Sequence, residues 1–200
     1  MILRSSPASP FGRKVRIAAM VLGLDSRITV EAADTANPAD TVRQQNPLGK
    51  IPALVLDDGL VLFDSRVILE YLDHLAGGGR IVPTEPTARF AALRLQALAD
   101  GLMDASILLV YEGRWRDPAK HEPKWVEHQA GKVARALASL EAAPPALAGT
   151  PDVGQITLAC ALGYRDFRFA GTWRKDHPRL VQWLDAFAAA VPAFAATKPA

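Results

Sequence analysis

The hydrophobic pattern of this 200-residue chain changes character once, at Gly77-Gly78-Gly79, and that change limits the possible folds more than any single motif. Before it, short apolar runs alternate with helical stretches; after it, only helical periodicity remains. Met1 to Arg4 reads as a strand, followed by the turn-rich loop Ser5-Ser6-Pro7-Ala8-Ser9-Pro10. The next segment predicts a helix with Val15, Ile17, Ala18, Val21 and Leu22 on its inner face and Gly23 at its end. Ile28 to Glu31 predicts a second strand, and Asn37-Pro38 an N-cap and first residue of a short helix ending before Asn46-Pro47. Ala53 to Leu56 forms a third strand directly after Pro52, and Asp57-Asp58-Gly59 turns it into a fourth, Leu60 to Phe63. An amphipathic run with Val67, Ile68, Leu69, Tyr71 and Leu72 closes the series.

The order is therefore βαβαββα. It implies a mixed four-stranded sheet in which the crossover makes the first strand pair parallel. Residues 1–78 form this α+β unit, 79–86 a linker containing Pro83 and Pro86, and 87–200 an all-α unit. Its expected helices run from Thr87 to about Trp115, about Glu122 to Ala143, Ile156 to Phe169 and Pro178 to Ala190, with Gly171, Pro192 and Pro199 as punctuation.

Composition narrows the function classes. Twenty-three basic against 21 acidic residues give a net charge of +2, too near neutral for nucleic-acid or membrane attraction to lead. The single cysteine, Cys160, excludes an internal disulfide framework and sits in an apolar helical stretch as a small buried residue. Met1-Ile2-Leu3-Arg4-Ser5 lacks the apolar core of a signal peptide, and no run of about 18 apolar residues suggests a span, so the expected location is cytoplasmic. His74, His121, His128 and His177 share no metal-ligand spacing with cysteine or clustered acids, so no metal is expected. Arg165, Arg168, Arg174, Lys175 and Arg179 are interrupted by Asp166 and Asp176 and read as helix edges.

Three short motifs carry chemistry. Pro52 stands at a strand entrance, where an X-Pro bond adopts the cis form at a cost of only about 0.5–1 kcal/mol; a cis bond would turn the Ile51 N–H and C=O outward, toward a bound peptide backbone. Asp64-Ser65 precedes a helix whose N-terminal N–H groups suit an anion. Ser9 lies at the start of the first helix, a favourable place for a thiolate, although a serine followed by proline is also an ordinary helix cap.

The phrases Asn46-Pro47-Leu48-Gly49-Lys50-Ile51-Pro52, Phe63-Asp64-Ser65-Arg66 and Ser9-Pro10-Phe11-Gly12-Arg13-Lys14-Val15-Arg16-Ile17-Ala18 together resemble the glutathione transferase superfamily, specifically its serine-type branch. The resemblance covers nearly the whole chain. It implies a thioredoxin-like N-terminal domain that binds glutathione as co-substrate and an all-helical domain that supplies the electrophile site. Ser9 would be the catalytic hydroxyl, with Ser5 and Ser6 as rivals in the same loop. Glutathione contacts would come from Phe11, Lys50, Ile51, Pro52, Asp64 and Ser65: Ser65 for the γ-glutamyl carboxylate, Asp64 for its ammonium, Ile51 for the cysteinyl backbone and Lys50 for the glycyl carboxylate. Lys50 as a solvated turn residue and Asp64-Ser65 as a plain cap are the competing readings.

Phe11, Tyr111 and Trp115 would wall the electrophile site, with Arg114 or Arg116 able to meet an acidic group, or else Tyr111 and Trp115 pack between helices. Asp100 and Asp104 read either as groups facing a partner in a homodimer or as solvated charges. In the family, the central helix of the second domain opens with a hydroxyl cap and an aspartate three residues on. Here Cys160 follows Thr157, which implies a lost capping box worth roughly 0.5–2 kcal/mol. Isomerisation, dehalogenation or peroxide reduction on the same site, and a non-catalytic binding or regulatory role on the same scaffold, remain alternatives.

The energetics bound what Ser9 can do. A thiol of pKa about 8.5 is only about 3% ionised at pH 7, and a two-unit decrease requires about 2.7 kcal/mol. A donated hydroxyl supplies about 1.5–3 kcal/mol and the helix end about 0.3–1. Ionisation then rises about 25-fold, but reduced basicity removes about eightfold, leaving a net gain of about threefold. Holding the second substrate against the sulfur must supply most of the rate.

Overall fold

The computed structural model describes residues 1–199. Four strands, β1 (Ile2–Ser5), β2 (Thr29–Ala32), β3 (Ala53–Val55) and β4 (Val61–Leu62), form one sheet in the order β2-β1-β3-β4. β1 pairs parallel with β2 and antiparallel with β3, and β3 pairs antiparallel with β4. This is the mixed sheet that the βαβ and ββα units require. Helices α1 (Pro10–Leu22), α2 (Val42–Gln45) and α3 (Ser65–Leu75) belong to the same half. An all-helical half follows: α4 (Pro86–Trp115), α5 (Pro123–Ala142), α6 (Val153–Phe169), α7 (Pro178–Ala190) and α8 (Pro192–Ala196).

Local chemistry explains most boundaries. Ser9 caps α1 and Pro10 fills its first position; Gly23 ends it in the left-handed region at φ 71°, returning its N–H to Met20 O at 3.1 Å. Glu85 caps α4 through the N–H groups of Thr87 and Ala88. β2 is an exposed edge strand, consistent with its position outside β1.

Three expectations need correction. Asn37-Pro38 does not start a helix: Asn37 Oδ1 accepts from Ala39 N–H in a local turn, and the helix contracts to the single turn α2. Arg4 explains where that turn sits. From β1 its guanidinium donates to Asp40 Oδ1, Thr41 Oγ1 and Gln45 Oε1 at 2.7–3.0 Å, fixing the connection by one ion pair and two hydrogen bonds rather than by helical periodicity.

The second correction concerns α6, which begins at Val153 with Asp152 as its cap. Asp152 Oδ1 accepts from Gln155 N–H, and Gln155 Oε1 accepts from Asp152 N–H, each at 2.8 Å. The capping box is complete, displaced toward the N-terminus, so the predicted loss of stability does not arise. Thr157 lies inside the helix and donates to Val153 O. Third, Pro192 is the first residue of α8 rather than simple punctuation.

Helix α6 forms the centre of the molecule, with Val153 to Tyr164 buried without interruption. A helix apolar on all sides must be surrounded, and α6 packs against both α4 and α1. Gly154 permits the α4 approach, because a Cβ there would lie 2.6 Å from Ala92 O. Cys160 is fully buried, and burial pushes its thiol from an ordinary 9.0 up to about 12. The folded chain therefore keeps a proton that the unfolded chain loses above about pH 9, so this group's contribution to stability falls as pH rises past that point. Native protein at pH 8 is expected to resist iodoacetamide at Cys160 and to be alkylated at one site once unfolded; rapid native labelling, read by mass spectrometry, would contradict this burial.

Candidate functional site

Sheet register gathers the predicted site. Ser5, the last residue of β1, leads into the Ser9 loop. Arg4 pairs with Ala53, the first residue of antiparallel β3, which places Ile51-Pro52 at that same end. Leu54 pairs with Leu62, so the chain leaves β4 there too and enters Phe63-Asp64-Ser65. Two helix N-termini, α1 and α3, and one strand entrance thus share one edge of the sheet.

Ser9 Oγ accepts from Gly12 N–H at 3.1 Å. The cap uses the oxygen as acceptor and leaves the hydroxyl proton free to donate, so capping and thiolate stabilisation do not compete. Ser5 is 2% exposed and packed behind Gly12, where any Cβ would overlap its Oγ. That packing removes Ser5 as a rival facing the helix end. Ser6 Oγ accepts from Ala8 N–H at 3.4 Å within its own turn.

The Ile51–Pro52 bond is cis, as is Phe63–Asp64. Ile51 lies outside the β-ladder, and its N–H and C=O have no protein partner among the described residues. Asn46 is buried and holds this loop, its Nδ2 donating to Lys50 O at 2.9 Å. The Lys50 side chain is exposed and makes no ion pair among the described residues. Asp64 caps α3, accepting from Arg66 N–H at 2.9 Å, and Ser65 is buried beneath it.

Beside these residues lies a cluster that the sequence reading missed. Asp100 on α4 is fully buried and accepts from Lys14 Nζ through Oδ1 and from Arg66 Nε through Oδ2, both at 2.8 Å. Asp100 is thus an internal bridge of its own chain, neither a solvated charge nor a group facing a partner. Lys14 follows Ser9 on α1, and Arg66 follows Ser65 on α3, so one carboxylate ties both helices to the helical half. Burial lowers the Lys14 pKa and Asp100 pulls it back up; the hydrogen bond to Asp100 raises that of Arg66. Asp104, one turn along α4, is solvent-accessible, yet crowding by protein and the Asp100 charge hold its carboxyl above the usual range, with Arg66 and Lys50 opposing. The legible signal was the spacing of Lys14 and Arg66 behind their helix starts; their common partner was not legible.

The proposed electrophile wall is less gathered. A small recess beside Ser9 is lined by Pro7, Pro10, Arg13, Cys160, Tyr164 and Pro199 among others, without Phe11, Tyr111 or Trp115. Phe11 packs on the core, its ring centre 5.8 Å from Lys14 Nζ. Tyr111 and Trp115 are 38% and 61% exposed on the last turns of α4. Tyr164, absent from the sequence-based set, lines this recess together with Ser9.

Family models describe the two halves: residues 8–75 match the N-terminal domain of glutathione S-transferase and residues 123–186 its C-terminal domain. The chain belongs to the glutathione S-transferase family. Similar to it is an uncharacterised GST-like protein, YibF, from Escherichia coli K12, 34% identical over 189 residues that cover 92% of each chain. A glutathione transferase family member from Pseudomonas fluorescens Pf-5, 43% identical, superimposes with a TM-score of 0.91 over 100% of this chain and 98% of its own. That structure holds glutathione; a second structure of the same relative holds S-(propanoic acid)-glutathione, at a TM-score of 0.87 over the full length of both chains. Maleylacetoacetate isomerase of Pseudomonas aeruginosa is 28% identical over 197 residues, covering 94% of this chain and 90% of its own. Both family-model matches thus lie within the length that these relatives share with this chain.

Proposed function

We propose that this family member is a glutathione transferase that binds glutathione at the shared sheet edge, ionises its thiol beside Ser9 and adds the sulfur to a small electrophile. The observation that carries the reading is the register-imposed meeting of Ser9, the unpaired Ile51 backbone and the Ser65 helix start. Extended peptide backbone suits Ile51, the γ-glutamyl carboxylate suits the α3 N-terminus with Ser65, and its ammonium suits Asp64. Lys50 reaches the glycyl carboxylate from its exposed turn, and Phe11 and Pro52 flank the sulfur. The thiolate then lies at the α1 N-terminus with the free Ser9 hydroxyl donating to it. Glutathione bound in a relative 43% identical over the whole chain supports this placement.

The test is calorimetric titration with glutathione, followed in parallel by ultraviolet thiolate absorbance. Binding with a thiol pKa near 6–7 is the expected result, about two units below the free value of about 8.5; absence of binding would leave only a scaffold. Cytoplasm, where glutathione is concentrated, is the setting we assign to this enzyme.

We also assign a homodimer. An open groove of about 470 Å³ between α3 and α4 is lined by Arg66, Val67, Glu70, Leu93, Gln96 and Ala97, and Phe90 stands 69% exposed on the same helix as Leu93. Sedimentation is expected to give twice the chain mass, and Phe90→Glu to shift it toward the monomer; a monomeric wild-type protein would refute the assignment.

A further inference from the structure

Cys160, Tyr164 and Arg168 follow one another at single-turn intervals on α6, and the first two line the recess beside Ser9. Arg168 occupies the next turn outward, close to the Tyr164 hydroxyl, with its guanidinium carbon 4.4 Å from the centre of the Phe167 ring. On α4, which packs against α6, Tyr111 and Arg114 lie one turn apart, the Arg114 guanidinium carbon 5.4 Å from the Tyr111 ring centre. Both reach Tyr164 electrostatically. Burial pushes its hydroxyl above the ordinary value, while Arg168 and then Arg114 pull it down.

These cations are not matched by acids. Among the described residues, no carboxylate stands within ion-pair distance of Arg114 or Arg168. The acids nearest in sequence are already engaged: Glu112 by Arg116 and the Glu122 N–H, Asp166 by Arg174 and Trp173. Arg168 Nε is buried and lacks a hydrogen-bond acceptor. A buried guanidinium N–H without an acceptor is unfavourable, and its planar donor fork matches a carboxylate in two-point geometry.

We propose that Arg168, assisted by Arg114 across from it, makes the second-substrate site selective for electrophiles that carry a carboxylate. The inference rests on the glutathione-transfer reading and deepens it. With an α,β-unsaturated acid, the sulfur lone pair forms the S–C bond at the β-carbon. The C=C electron pair moves to the α-carbon, which takes a proton from solvent in place of the one the thiol released on ionising. The net change is addition of S–H across the double bond, with no oxidant or reductant. Tyr164, between Ser9 and Arg168, sets the spacing between sulfur and carboxylate to a few bonds, so short-chain acids are the matching class.

The test compares two ligands by calorimetry: S-(2-carboxyethyl)glutathione and S-propylglutathione, which share the glutathione moiety and differ in the terminal carboxylate. Wild-type protein is expected to bind the acid at least about tenfold more tightly, equivalent to about 1.4 kcal/mol. In Arg168→Met the preference should fall below about threefold, with partial recovery in Arg168→Lys, and Arg114→Met should reduce it less. S-propylglutathione binding in each variant reports an intact fold. Equal affinities in wild type would overturn the proposal while leaving the glutathione site standing, and equal weakening of both ligands in Arg168→Met would reduce Arg168 to a structural residue. Failure of both ligands to bind wild type would instead remove the glutathione reading and this proposal with it.

Discussion

Asp100→Ala is expected to lower the unfolding free energy by about 3–5 kcal/mol, because it leaves the Lys14 ammonium buried without its counter-charge. The upper bound has a physical origin. Lys14 can escape the penalty by releasing its proton, which at pH 7 costs about 4.6 kcal/mol from an unfolded pKa near 10.4. For a chain of this length the loss corresponds to a decrease of about 6–20 °C in Tm. The pH dependence has a definite sign. Lys14 already has a lowered pKa in the fold, and removal of Asp100 lowers it further, so below about pH 10 the unfolded chain binds the additional proton. Stability of the variant should therefore rise with pH toward that value. Lys14→Met in the same background should recover most of the loss, since an apolar side chain replaces the orphaned charge. Chemical denaturation of the three proteins at two pH values checks this, and a cost below about 1 kcal/mol for Asp100→Ala would mean that Lys14 reaches water.

Ser9→Ala is expected to raise the thiol pKa of bound glutathione by about 1–2 units, the equivalent of one hydrogen bond of about 1.5–3 kcal/mol to a charged acceptor. The same substitution removes the cap on Gly12 N–H and should cost about 1 kcal/mol of stability. These effects separate cleanly, one read from thiolate absorbance against pH and the other from denaturation. For a rise from about 6.5 to about 8.0, the ionised fraction at pH 7 falls about eightfold, and the greater basicity of the remaining thiolate returns about fivefold. A decrease in kcat/KM beyond about tenfold would therefore measure positioning by Ser9 rather than ionisation. An unchanged thiol pKa with reduced stability would leave Ser9 as a helix cap alone.

The site was legible where the chemistry is local. Ser9-Pro10 and Asp64-Ser65 mark helix starts because a side-chain oxygen must reach an N–H two or three residues away, and Pro52 marks a strand entrance because it lacks a donor. Gly12 carries a further constraint that appears only in three dimensions, the packing of Ser5 behind it. Asn37-Pro38 misled because its helix-start pattern is overridden by Asp40 and the distant Arg4. Thr157 misled for the opposite reason: Asp152 and Gln155 form a reciprocal cap one turn earlier, in residues that read as loop.

The amino-acid order by itself determined the sequence of elements, the mixed sheet, the helical second half and the three motifs at the sheet edge, since periodicity, capping and proline geometry act over a few residues. The tertiary structure alone decided that Asp100 joins Lys14 and Arg66, residues 86 and 34 positions away. It also brought Tyr164 and Cys160 to the recess beside Ser9. Coulomb and packing forces act through space, without regard to separation along the chain, so these pairings exist only once α1, α3, α4 and α6 are packed.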